Sequence, residues 1–341
     1  MNRIIEYVIA LGDLVMPRVC LACGCRLGMR ERHLCLSCAA DVPYTRFWLA
    51  PHNPLADRFN AVLERHRGTE PMDYAYAAAL IYYKGAYRSI PRALKYQGDL
   101  AAGRHYGALL GRRLAAAPHF ADIDLVIPVP LHWTRLRSRG YNQAEILARA
   151  LVDAFRTAPP PIAPAPAPAA PDTTTSSSVL SERWPVAAGH DDGPEVRADL
   201  LVRARRTRTQ TRVSVEQKAQ NVASAFQVPA RFSPWARLIG RLSHLFSRPA
   251  RWPIWVGHDG GGPFGEDDSC HDWREVSRHS RPDRESPAEV LASAHHILLV
   301  DDTFTTGATL YACYAALRPF TTARISIATL AAVEGTPSGG P

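Results

Sequence analysis

The chain has 341 residues, 46% of them hydrophobic, with a mean hydropathy of -0.16, a formal net charge of +8 and an isoelectric point near 9.3. That length accommodates one sizeable domain with a smaller one beside it, and the positive balance suits anionic partners such as phosphates, pyrophosphate or nucleic acid. No apolar run approaches the ~20 residues of a membrane-spanning helix, so no membrane span is expected.

At the start, Ile4, Ile5, Val8, Leu11 and Val15 recur at helical spacing and are interrupted by Arg3, Glu6 and Asp13. This pattern predicts a short docking helix rather than a secretory signal. Two pairs follow, Cys20-x-x-Cys23 and Cys35-x-x-Cys38. Four thiolates at this spacing close a tetrahedron around a structural zinc ion. Disulfides are the rival reading. Nothing in the chain signals export, so reduced thiols and a cytoplasmic location are expected. Gly24 suits the knuckle turn, and Cys25 is a candidate substitute ligand. Helix and ribbon together make a first unit over 1–45.

A second unit spans 74–335. A strand is predicted over 77–83, a turn at Lys84-Gly85, and a helix from Ser89 and Pro91 that carries Leu94 and is interrupted by Gly98. A second helix follows over 100–114, then a buried strand over 124–129 that Pro128 and Pro130 stop. Arg135, Arg137, Arg139 and Gly140 come next as a basic loop, which after a parallel strand favours an anion; a helix carrying Ile146, Leu147, Ala150 and Leu151 on one face follows.

From about 156 to 193 the composition shifts to Pro, Ala, Ser and Thr, which predicts a disordered insertion. A strand is expected over 196–202. The dense patch at 203–210, including Arg205 and Arg206, precedes a helix that Ser214 and Gln217 would cap. A second insertion covers about 231–287. It holds an amphipathic segment with Trp235, Leu238, Ile239, Leu242, Leu245 and Phe246 on one face, and His258, Cys270, His271 and His279 at spacings that match no metal site.

The apolar run Ile297-Leu298-Leu299-Val300 then reads as a central parallel strand. Asp301 and Asp302 stand at its end, where open α/β sheets bind ligands. Thr305, Thr306, Gly307, Ala308 and Thr309 open a helix, and such a loop cradles phosphate through backbone amides, the helix dipole and hydroxyl donors. The acids must face something other than the phosphate: sugar hydroxyls, a metal or a cationic ligand. A last strand is predicted over 324–332.

Four apolar residues, two acids and Thr-Thr-Gly-Ala-Thr resemble the fingerprint of type I phosphoribosyltransferases. In that family the loop holds the 5′-phosphate of phosphoribosyl pyrophosphate and the acids hold its ribose hydroxyls. Further segments resemble the ComF family of competence-associated, amidophosphoribosyltransferase-like proteins: the four-cysteine ribbon, Tyr-Lys-Gly-Ala-Tyr-Arg from Tyr83, Leu-Lys-Tyr-Gln-Gly from Leu94, Ile-Pro-Val-Pro-Leu-His from Ile127, Arg-Gly-Tyr-Asn-Gln-Ala from Arg139, and Asn-Val-x-x-Ala-Phe ending at Phe226. Lys218 stands where the family more often has arginine, and the two insertions depart from its pattern. The resemblance implies an α/β fold with a type I phosphoribosyltransferase-like parallel sheet flanked by helices. It places pyrophosphate against 130–140 and a mobile hood at 203–210, with Mg²⁺ entering with the substrate. It implies transfer of the phosphoribosyl group to an amine or base in the setting of DNA uptake. The alternative is a catalytically silent adaptor for single-stranded DNA or for DNA-uptake and recombination proteins.

Overall fold

The computed structural model of the chain describes residues 17–66, 73–158, 193–204, 225–230 and 286–335. In chain order these form α1 (Leu36–Ala40), α2 (Pro54–His66), β1 (Ala77–Tyr82), α3 (Ser89–Arg92), α4 (Leu100–Ala115), β2 (Leu125–Pro128), α5 (Trp133–Arg139), α6 (Gln143–Arg156), β3 (Glu195–Val196), β4 (Val202–Arg203), β5 (Phe226–Gln227), α7 (Pro287–Ser293), β6 (His296–Phe304), α8 (Ala308–Leu317) and β7 (Arg324–Ala332). Five strands make one parallel sheet in the order β1-β7-β6-β2-β3, and β4 and β5 form a separate antiparallel ribbon.

The apolar run at 297–300 is fully buried because the sheet is covered on both faces. Strand alternation sorts its side chains. Ile297 and Leu299 pack with Leu55, Phe59 and Leu63 of α2 and with Leu310, Cys313 and Leu317 of α8. Leu298 and Val300 face the other way, with Tyr106, Leu110 and Leu114 of α4 and Leu147 and Leu151 of α6. On that second face Gly107 and Gly111 let α4 and α6 approach backbone to backbone. A Cβ at Gly111 would stand 2.1 Å from the Leu151 carbonyl oxygen, and one at Gly107 would stand 2.8 Å from that of Leu147.

Topology creates the crevice. The crossover after β2 runs through α6 to β3 on one side, while the crossover after β6 runs through α8 to β7 on the other. Right-handed connections leading in opposite directions place α6 and α8 on opposite faces and leave a gap above the carboxyl ends of β2 and β6. Both β6 acids lie in the carboxyl half of that strand.

The four-cysteine loop lies on the α4 face. Cys20, Leu27, Leu34 and Val42 belong to the same buried cluster as Tyr106 and Leu110. The Tyr87 hydroxyl donates to the Cys38 carbonyl at 2.9 Å. The expected N-terminal helix falls outside the described residues, as do the bodies of both insertions, the helix after Ser214 and the amphipathic segment after Ser233. The ends of 159–192 meet: Arg156 Nη2 donates to the Pro194 carbonyl at 2.9 Å, and its stem covers Gly193.

Two expectations are corrected. The single strand over 196–202 is two short ones, because Arg197 turns back to hold Asp199 (Nε–Oδ1 2.9 Å, Nη2–Oδ2 3.2 Å) and bends the chain out of the sheet. The basic loop at 135–140 is the helix α5, capped at its start by His132 and ended by left-handed Gly140.

At the amino edge of the sheet, opposite the crevice, Asp122 Oδ1 lies 2.6 Å from His296 Nδ1, and Asp122 Oδ2 lies 3.4 Å from an Arg324 nitrogen. His296 Nε2 lies 2.8 Å from Ser326 Oγ, but Ser326 is fully buried, so the array serves structure rather than attack on a substrate. Burial opposes ionisation of Asp122; the hydrogen bond and charge of His296, with Arg324, overcome it and hold its pKa below the usual carboxylate value. A carboxyl depressed in the folded state contributes stability above its unfolded pKa and loses it as pH falls through the folded one. Asp122→Asn should therefore lower the melting temperature at neutral pH, and the gap to the parent should narrow below about pH 4 in a thermal-melt series. Parallel curves down to acid would show that the carboxylate contributes no ion pair.

Candidate functional site

Alternation along β6 sends Asp301 and Asp302 to opposite faces at the strand end. Asp302 turns to the α4 face and meets Lys95, whose Nζ is 2.7 Å from Asp302 Oδ1 and 3.2 Å from Thr303 Oγ1. Burial works against this ammonium, and the charges of Asp302 and Asp301 prevail and raise its pKa. Asp301 turns to the α8 face, towards Arg203 of β4 and Cys313 of α8. Its Oδ1 accepts the Asp302 amide at 2.8 Å. Burial, then the neighbouring charge of Asp302, pushes the Asp301 carboxyl up to about 7, against the pull of Lys95. Arg203 lies over the Phe226 ring at 5.2 Å, and burial followed by the charge of Arg135 draws its pKa down. Two acids and three cations therefore line one crevice.

The loop after β6 behaves as the head of a helix. Gly307 is the cap of α8 in a left-handed conformation (φ 81°), Thr305 and Thr306 are exposed, and Ala308 and Thr309 begin the helix. The first amides of α8 have no partner within the helix, so together with the hydroxyls they offer donors to an anion. Ala308 N makes only a long 3.5 Å contact with Thr306 Oγ1. Gly307 itself is required by its left-handed backbone and by the packing around it. A Cβ there would fall 3.0 Å from the Phe304 ring and 3.7 Å from Val62, inside the protein's own packing. The loop is held from beneath by Arg58 of α2, which donates to the Thr305 carbonyl at 2.8 Å and to the Val333 carbonyl at 2.6 Å while lying over Phe304 at 5.2 Å.

Of the basic residues expected here, Arg135 and Arg139 lie one turn apart on α5 and are half-buried; Arg139 stacks on Tyr96 at 5.4 Å. Arg137 points to the outside and is exposed. Gly140 ends α5. Arg205 and Arg206 fall outside the described residues, and only the base of their segment is described, where Ala204 N donates to the Ala225 carbonyl at 2.8 Å. Lys95, Arg58 and Arg203 join the site without having been singled out as ligand-binding residues. Lys95 carried one signal, its place in the stretch Leu94-Lys95-Tyr96-Gln97-Gly98.

The second centre is the cysteine cluster. Sγ atoms of Cys20, Cys23, Cys35 and Cys38 all lie within 4.8 Å of one another. Cys23 and Cys35 are 3.7 Å apart, against about 3.8 Å for the edge of a tetrahedron with metal–sulfur bonds of ~2.3 Å. The described cysteines are all free thiols. Burial disfavours the Cys20 thiolate, but amides of Cys23, Cys35 and Ala22 directed at its sulfur draw its pKa down to about 6. Gly24 turns the first knuckle at φ 73°, and Glu31 closes the second by accepting the Gly28 and Leu36 amides, both at 2.6 Å. This donor set could hold a structural metal ion and leaves it no open position. Among the described residues no other group of three or more metal-binding side chains comes together.

These features define an α/β protein with an open parallel sheet, a charged crevice at its switch point and a closed four-cysteine cluster. No protein-family model matches the chain, and no curated protein matches it in sequence. Among the described residues no helix is long and apolar enough to cross a membrane.

Proposed function

We propose that this chain is a phosphoribosyltransferase-like protein of the ComF family, which binds phosphoribosyl pyrophosphate in the switch-point crevice and transfers its phosphoribosyl group to an amine or base. One observation carries the reading: paired carboxylates near the carboxyl end of β6, followed within the strand by Thr303 and Phe304, precede a hydroxyl-bearing loop that leads into α8. Asp301 and Asp302 would accept the ribose hydroxyls. Thr305, Thr306, Thr309 and the first amides of α8 would hold the 5′-phosphate. Arg135 and Arg139 would face the pyrophosphate.

Breaking the anomeric C–O bond develops positive charge on the sugar and negative charge on the leaving pyrophosphate. The carboxylates stabilise the first and the arginines the second, and fixing both ends of the substrate supplies the orientation. Mg²⁺ bound with the pyrophosphate would neutralise part of its charge. The cysteine cluster, by its all-sulfur donor set, would hold zinc, and reduced thiols suit a cytoplasmic protein.

A second reading, the DNA-uptake adaptor, is favoured by one surface feature. Trp133 and Tyr96 are 60% and 72% exposed beside Arg137 and Arg139, which is the pairing of rings and cations that single-stranded DNA binds. Calorimetry of purified protein with phosphoribosyl pyrophosphate and Mg²⁺, followed by a pyrophosphate-release screen over amines and bases, tests the first reading. Binding without turnover by any acceptor, together with salt-sensitive DNA binding, would favour the second.

A further inference from the structure

Between α3 and α4 the chain winds through a π turn, Ala93–Gln97, which left-handed Gly98 ends. Such turns are rare and concentrate at functional sites, because the extra residue takes side chains out of the helical register. Lys95 lies at the middle of this turn. Its ammonium sits against Asp302 and Thr303, with side-chain exposures of 24% for Lys95 and 12% for Asp302. We infer that Lys95 exchanges partners during ligand binding: in the empty crevice it occupies the Asp302 oxygen that a ribose hydroxyl would take, and with ligand bound it turns to the pyrophosphate. The inference rests on the phosphoribosyl pyrophosphate reading and adds a positioning residue to it.

Three observations lead there. Asp302 is buried, and its Oδ1 already has the ammonium at 2.7 Å, so a sugar hydroxyl approaching that oxygen competes with the ammonium for the little of the carboxylate that is open. Removing the cation altogether would strand a buried carboxylate, which is costly. The neighbours of Lys95 are also fastened to the other side of the crevice. The Tyr141 hydroxyl donates to the Leu94 carbonyl, and Tyr96 lies under Arg139 of α5. Lys95 thus stands between the acids and the arginines, and its flexible four-carbon stem lets one ammonium serve either side. Charge balance agrees. An incoming pyrophosphate needs cations, and ribose hydroxyls can replace a cation as donors to Asp302 without leaving the carboxylate bare.

Two probes separate the roles: phosphoribosyl pyrophosphate with Mg²⁺, and ribose 5-phosphate, which lacks the pyrophosphate. In Lys95→Met, affinity for phosphoribosyl pyrophosphate should fall about ten- to a hundredfold, while ribose 5-phosphate should bind as well as before or up to about threefold more tightly. Equal losses for both probes, or no loss for either, would overturn the exchange and leave Lys95 a structural counter-ion. Stranding Asp302 carries a risk to folding, so the same comparison is made in an Asp302→Asn background. There, adding Lys95→Met should further weaken phosphoribosyl pyrophosphate but not ribose 5-phosphate, and identical added losses count against the inference. A parent protein that binds neither probe would overturn the underlying reading as well, and so the two failures are told apart.

Discussion

Changing Cys20 to serine, or stripping the metal ion that the cysteine cluster could hold, is expected to lower the melting temperature by about 10 °C or more, since binding at a structural site is folding free energy and a few kcal/mol moves a domain of this size that far. Cys20 should be the most sensitive position. It is buried against the α4 face with Leu27, Leu34 and Val42, so losing the cluster also uncovers Tyr106 and Leu110. The loss should therefore appear in the melting of the whole described core, not in the knuckles alone. Cys25→Ser should cost less, because Cys25 is not one of the four, although its thiol lies against Cys23 and Cys35. Elemental analysis of reduced protein should find one zinc per chain. No metal, combined with unchanged melting in Cys20→Ser, would sink the assignment.

The two acids should fail differently from each other and from the phosphate loop. If the proposed function holds, Asp301→Asn and Asp302→Asn would each remove a charged acceptor of a ribose hydroxyl, worth ~1.5–3 kcal/mol, so phosphoribosyl pyrophosphate should bind about ten- to a hundredfold more weakly in either variant. Inorganic phosphate should bind at least as well as before, because it would touch the loop after β6 and not the acids. Stability should divide them. Asp302→Asn deprives Lys95 of its counter-ion and should destabilise the chain. Asp301 carries a pKa raised to about 7, so its ionisation costs stability as pH rises from the unfolded value through that point. Asp301→Asn should then raise the melting temperature at pH above 7 and have less effect near pH 5. Equal losses for both ligands, measured by titration of folded variants, would mean that the acids hold structure and not sugar.

What the sequence made legible was local. The strand at 297–300, the turn to a helix and the last strand follow from a short string in which apolar period, charge and hydroxyls change abruptly, although the strand runs on past the acids to Phe304. Four cysteines in two close pairs likewise define their own geometry. The cations that complete the crevice were harder, because their meaning lies in distant partners. Lys95 meets Asp302 across 207 positions of sequence, and Arg58 reaches Thr305 across 247. Arg58 belongs to α2, in a stretch the sequence reading leaves unassigned, although Leu55, Phe59 and Leu63 recur there at one-turn spacing. The helix α5 escaped for a physical reason as well: three arginines and a serine conceal a helix whose caps, His132 and Gly140, are the clearer signal.

Consider last the place where Arg156 reaches across to Pro194. The hydrogen bond and the covered glycine join the exit of α6 to the entrance of β3 at the amino edge of the sheet, away from the crevice. The residues flanking 159–192 are thus fixed side by side. Changing the length of the connection between them is expected to cost the core little, since doubling a loop whose ends already meet costs only about 0.6 kcal/mol. Deleting residues 159–178 should accordingly shift the melting temperature by no more than about 2 °C, and a fall of many degrees would show that the segment packs on the core. Such a junction is a port in the architecture: a site at which tethers, tags or whole recognition modules can be spliced in or exchanged, in nature or at the bench, while the ligand crevice on the opposite edge keeps its shape.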